Sequence, residues 1–97
     1  MEKAEKNKIK KSRRITFSLE AADAREVYLA GEFNDWSPTK SPMKKSTDGK
    51  WKKQLLLPPG EFEYKFLVDD QWIEDPQNDD ARPNCFGTWN SLLNITP

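Results

Sequence analysis

Between Glu61 and Gln71 the chain reads E-F-E-Y-K-F-L-V-D-D-Q, and Phe62, Tyr64, Phe66 and Val68 fall on every second position. That is the period of a strand with one buried face. Glu61, Glu63, Lys65 and Leu67 take the opposite face, so Lys65 points away from the core. Asp69-Asp70 then predicts a tight turn, and the returning chain delivers Trp72 beside Lys65. A cation and a large ring are thereby offered together outside the core.

The same alternation recurs along the chain. Arg14 to Glu20 turns Ile15, Phe17 and Leu19 inward, and Ala21 to Arg25 reads as a turn. Glu26 to Phe33 predicts a second strand burying Val27, Leu29 and Phe33, with Gly31 suited to a bulge or a close backbone approach. Asn34-Asp35 favours a bend, Trp36 follows, and Ser37-Pro38 ends the pairing. Residues 39–45 predict a short edge strand whose ladder Pro42 limits. Asp48-Gly49 is a hairpin dipeptide, Trp51 to Leu57 climbs away from it, and Pro58-Pro59-Gly60 turns into the central strand. Asp75-Pro76 opens a long polar loop to Asn84, and Trp89 to Ile95 predicts the last strand. The sum is an all-β chain of about seven short antiparallel strands, hence a β-sandwich of immunoglobulin-like type.

Composition narrows this further. Ninety-seven residues make one domain near the size where a single core suffices. The apolar fraction is only 35%, but the aromatic 11% is gathered in strand-like runs, and a few large rings can close a small core. Residues 1–14 hold seven Lys/Arg against Glu2 and Glu5. The remaining nine basic and fourteen acidic residues leave the rest of the chain at −5. An acidic folded part disfavours nucleic acid as a partner. Residues 1–12 read as a disordered basic tail and 13–97 as the domain; the tail is a solubilising arm or, alternatively, a docking arm for an acidic partner. Cys85 is the sole cysteine, the N-terminus is charged, and no apolar run reaches membrane-spanning length. These features predict a cytoplasmic chain without a membrane partner.

Nothing here predicts an enzyme. There is no His, and Cys85 therefore has no imidazole to activate it. Asp69/Asp70 and Asp79/Asp80 are adjacent acids in turn-rich segments rather than an opposed pair in a cleft. Asp75, Asp79 and Asp80 lack the spacing and glycine of a calcium loop, so neither metal nor cofactor is expected.

The four tryptophans carry the remaining signal. Trp51 keeps the phase of Leu55 and Leu57 and is assigned to the core. Trp36 and Trp72 instead sit at strand ends among turn residues, where partial burial in a loop competes with an exposed flat ring. A pyranose presents a face of C–H groups that stacks on such a ring, while its hydroxyls seek polar partners at the edge. Lys65, Thr88 and Asn90 can supply those hydrogen bonds. Single-stranded RNA also uses aromatic platforms, but the acidic surroundings rank it below a glycan.

V-Y-L-A-G-E-F-N-D-W, F-E-Y-K-F-L-V-D-D-Q-W and F-G-T-W-N, in this order over residues 14–96, resemble carbohydrate-binding module family 48. That family includes the glycogen-binding domain of AMP-activated protein kinase β subunits and N-terminal domains of branching and debranching enzymes. The resemblance implies an immunoglobulin-like (E-set) sandwich that binds α-1,4-linked glucans such as glycogen, starch or malto-oligosaccharides and tolerates α-1,6 branches. It places the stacking rings at Trp36 and Trp72, the sugar-contacting lysine at Lys65 and the asparagine at Asn90. Phe86 and Thr88 fall on loop residues that contact the glucan. A protein partner in glucan metabolism or kinase signalling is the alternative it implies. Asp70 stands where this family usually has Gly, and Lys53 where an apolar residue is common, which predicts a frayed or edge-like strand there. Trp89 replaces a smaller residue, and both an extended platform and simple packing stay open for it.

Overall fold

A computed structural model describes residues 12–97 of the chain. The basic tail expected over residues 1–12 therefore lies, apart from Ser12, outside the described residues. Eight strands follow in order: β1 (Arg13–Glu20), β2 (Val27–Gly31), β3 (Lys44–Lys45), β4 (Lys50–Leu57), β5 (Gly60–Val68), β6 (Gln71–Ile73), β7 (Ala81–Pro83) and β8 (Trp89–Ile95). A single 3₁₀ turn, Glu32–Asn34, follows β2. Every pairing is antiparallel. One sheet has the order β1-β4-β3; the other runs β2-β5-β8-β7, with β6 paired to the far end of β5. None of the described helical residues forms a span long and apolar enough to cross a membrane.

Alternation decides which side chains lie between the sheets. Phe17 and Leu19 from one sheet meet Val27, Leu29, Tyr64, Phe66 and Ile95 from the other, with Met43, Trp51 and Leu57 completing the cluster. Phe66 and Leu29 have no exposed surface, and full burial of a ring or branched chain of this size stabilises by about 1.5–3 kcal/mol. Tyr64 is the hinge of the aromatic packing, edge-on to Phe17 at 5.2 Å and to Phe66 at 6.0 Å. Its hydroxyl donates to Asp75 Oδ2 at 2.6 Å and accepts from Asn78 Nδ2 at 3.1 Å, so a buried phenol has its partners. Trp51 is buried as its phase predicts, and its indole N–H donates to the Ala21 carbonyl at 2.8 Å.

Some expectations are revised. The edge strand predicted over 39–45 contracts to Lys44–Lys45 plus a bridge between Tyr28 and Pro42, because Pro42 cannot extend a ladder. The strand holding Lys53 is neither frayed nor an edge: β4 is the middle strand of its sheet and pairs with β1 over all eight residues. Lys53 is only partly exposed, so its aliphatic stem fits the apolar phase. The eighth strand, β7, lies inside the segment read as a loop, and its three residues are recruited by β8 rather than by any pattern of their own.

Gly31 is a close-approach position. A Cβ there would stand 2.6 Å from the Glu63 carbonyl oxygen and 2.8 Å from the Phe33 ring. The Asp69-Asp70 turn has both residues at positive φ, 47° and 70°, which is the geometry of a two-residue hairpin turn matched to strand twist. Asp69 is anchored, its carboxylate accepting from the Arg25 and Glu26 amides.

Candidate functional site

On the outer face of the five-stranded sheet, β5 carries Glu63 and Lys65, and β8 brings Asn90 beside them. The β5–β6 hairpin places Trp72 opposite Leu67, and residues directly opposite share a face, so Trp72 joins the same side. Trp36 comes from the other end. Gly31 donates its amide to Asn34 Oδ1, and Asn34 Nδ2 donates to the Leu29 carbonyl and to Ser41 Oγ. These bonds fold the chain back, and the Trp36 amide donates to the Gly31 carbonyl at 2.8 Å. Asp35 and Trp36 both adopt the left-handed conformation, φ 58°. That is uncommon for a residue as bulky as Trp, and here it is held by the buried Asn34 brace.

Trp36, Lys65, Trp72, Phe86, Thr88 and Asn90 all line one hollow of about 710 Å³. The six residues singled out in the sequence are thus brought together. Their exposure differs. Phe86 is 85% and Trp72 48% exposed, whereas Trp36 is only partly exposed. Lys65 lies on the outer face as alternation predicts, yet it is only 8% exposed. Its ammonium thus faces the hollow rather than bulk water, and donates to Thr88 Oγ1 at 3.0 Å.

Three further lining residues, Glu63, Asn84 and Cys85, were not singled out. Glu63 had a signal, since it sits two positions before Lys65 on the same strand face. Asn84 had none beyond the loop composition, yet it organises the whole rim. Its Oδ1 accepts from the Phe86 and Thr88 amides at 2.9 and 3.1 Å, and its Nδ2 donates to Thr88 Oγ1 and Asn90 Oδ1 at 2.8 and 2.9 Å. Asn90 Nδ2 in turn donates to Glu63 Oε1 at 2.9 Å, and Arg82 pairs with Glu63 and Glu61 at 3.6 and 3.1 Å. A polar floor connected in this way is rigid before any ligand arrives. Trp89 does not line the hollow; alternation with Asn90 turns it to the other face, where it is half exposed.

This arrangement offers flat apolar rings around a floor of fixed donors and acceptors, which suits a ligand that is apolar on its faces and polar at its edges. The family described as the glycogen recognition site of AMP-activated protein kinase matches residues 14–97. The chain is 42% identical over 71 residues to the AMP-activated protein kinase β-2 subunits of Homo sapiens and Mus musculus, spanning 73% of this chain and 25% of each relative. It is equally similar to the β-1 subunit of Sus scrofa, there covering 55% of the relative. It therefore spans about a quarter of the length of the first of these curated relatives and about half of the other. Among solved structures, a maltogenic amylase from S. marinus superposes on 87% of this chain and 14% of its own length, with a TM-score of 0.74 at 23% identity. That likeness establishes the sandwich fold alone.

Proposed function

The chain belongs to the family of the glycogen recognition site of AMP-activated protein kinase, and from that membership we propose that it is a non-catalytic module binding α-1,4-linked glucans. In this reading Trp36 and Trp72 stack against pyranose faces, and Phe86 closes the rim over them. Lys65, Thr88 and Asn90 hydrogen-bond the sugar hydroxyls. The observation that carries it is the convergence of all six side chains on one hollow with a pre-bonded polar floor. Each stacking ring contributes about 1 kcal/mol beyond area burial, and sugar hydroxyls return much of their hydrogen-bond energy to lost water. Single short chains therefore bind weakly, and a branched polymer with many ends binds better when several modules act together.

Retardation in a native gel containing glycogen tests this. Wild type is expected to be slowed, with Trp36→Ala and Trp72→Ala each running closer to the glycogen-free position. Equal mobility of all three with and without glycogen overturns the proposal. A second role, tethering a kinase or a glucan-metabolising enzyme from the cytoplasm, draws on relatives that are named as kinase subunits. A partner recovered in pull-down after both tryptophans are removed supports it.

A further inference from the structure

Sheet edges invite pairing with other chains, and most edges in this molecule are blunted. β3 is two residues long and both are Lys; β6 and β7 have three residues each, and β7 ends on Pro83. β2 is covered by the 41–43 segment, with Leu29 N donating to Ser41 O and Met43 N to Val27 O. β1 is the exception. It runs eight residues in unbroken register with β4, holds no Pro, Gly or Lys, and its other edge pairs with no strand among the described residues. Ile15, Thr16 and Phe17 at its centre are strand-favouring residues.

We propose that β1 pairs antiparallel with β1 of a second copy, joining two three-stranded sheets into one of six strands. A two-fold axis normal to the sheet keeps outward side chains opposite outward ones. Centring it on Phe17 sets Thr16 against Ser18 of the second copy, Ile15 against its Leu19, and Arg14 against its Glu20. Both ends thus acquire an Arg–Glu cross-strand pair from exposed side chains. Moving the register by one pair in either direction sets Arg14 or Glu20 against a hydroxyl and leaves no charge pair, so the sequence selects this alignment. A groove of about 340 Å³, lined by Ile15, Phe17, Tyr64, Asp75, Gln77 and Leu93, runs beside the edge, so no described segment covers β1 there.

The hollow on the other sheet includes no residue of β1, so pairing leaves two copies of it open on one assembly. Bivalent capture of a branched glucan follows from that; this consequence rests on the glucan reading, whereas the pairing does not.

Sedimentation equilibrium of the full chain, without glucan and with reductant to keep Cys85 from cross-linking, tests the pairing. The mass is expected to rise with concentration toward twice the 11.3 kDa of one chain. Arg14→Glu is expected to return it to one chain with unchanged circular dichroism, since Arg14 is exposed and stands opposite Leu56 of β4. Glu20→Arg is expected to do the same while losing a little stability, because it sets Arg against Lys50 of β4. The double swap R14E/E20R is expected to restore the dimer, and amide exchange over residues 14–20 to slow whenever the dimer forms. A single-chain mass at every concentration to about 1 mM overturns the proposal. So does a dimer indifferent to the single swaps, or an edge that accepts only an unrelated extended peptide.

Discussion

One strand, β5, builds two different regions from its two faces. Inward, Phe62, Tyr64 and Phe66 join a set of rings in tilted or edge-on contact, with centroids 5.2–6.2 Å apart. Outward, Glu63 and Lys65 stand under Trp36, Trp72 and Phe86, and among the described residues none of those three rings pairs with another ring. The inward rings complete each other. The outward rings are positioned by turns and by Asn84 but are left without aromatic partners, which is what a surface kept for a flat ligand requires. Aromatic content alone does not separate a core from a binding face; what separates them is whether the fold itself consumes the rings.

The sharpest break in this comparison is to remove one ring from each side. Phe66→Ala is expected to cost about 3–5 kcal/mol, read from the urea midpoint, since the ring has no exposed surface and leaves a cavity. Trp72→Ala is expected to change stability by less than about 1 kcal/mol and to weaken glucan affinity about five- to tenfold, the equivalent of ~1–1.4 kcal/mol. If Trp72→Ala destabilises as Phe66→Ala does, the outer rings are core and the distinction collapses.

Gly31→Ala strikes both regions at once. Its backbone is extended, so the cost is steric and arises where β2 passes the Glu63 carbonyl and the Phe33 ring. A loss of about 1–3 kcal/mol is expected from overpacking. Because the Trp36 amide bonds to the Gly31 carbonyl, affinity should fall with it. Denaturation alongside titration checks this; unchanged stability would mean the β2–β5 spacing yields easily.

The inward region was largely legible from the chain and the outward one only in part. Period-two alternation placed Phe17, Leu19, Tyr64 and Phe66 in the core, and the last strand begins and ends where its pattern does. Alternation is local, so it survives without knowledge of neighbours. The burial of Lys65 does not follow from it, because Thr88, which its ammonium bonds, lies 23 positions further along the chain. β7 is likewise invisible: its pairing with β8 is made by the partner strand, and Ala81-Arg82-Pro83 has no strand pattern. Asn84 reads as one polar loop residue among many until its four side-chain bonds are seen.

Tyr64 gives a subtler probe of the inward side. Burial, and then the hydrogen bond to Asp75, push its phenol well above the usual value near 10. The folded state therefore favours the protonated form. Its contribution is complete below about pH 10 and is lost as pH climbs toward the raised value. Tyr64→Phe is expected to cost about 1–2 kcal/mol near neutrality, through the partners it strands, and to flatten the alkaline fall in melting temperature. A variant whose melting temperature drops as steeply above pH 10 as wild type would assign that fall to another group.

Asp70→Gly should do the least, and for that reason it tests how independent the platform is of the turn that carries it. Asp70 sits at φ 70°, a conformation glycine adopts freely. The relief gained there is opposed by the greater freedom of glycine in the unfolded chain, about 0.4–1 kcal/mol. The two terms nearly cancel, leaving a net change within about 0.5 kcal/mol. Asp69, the neighbour whose carboxylate ties the turn to the Arg25 and Glu26 amides, is untouched, so Trp72 should keep its place. Asp70 itself lines no part of the hollow. Glucan titrations followed by tryptophan fluorescence should then superpose for variant and wild type. A shifted curve at unchanged stability would show that the hairpin tip tunes the ring, and that the outer face depends on turn chemistry more than on the sheet beneath it.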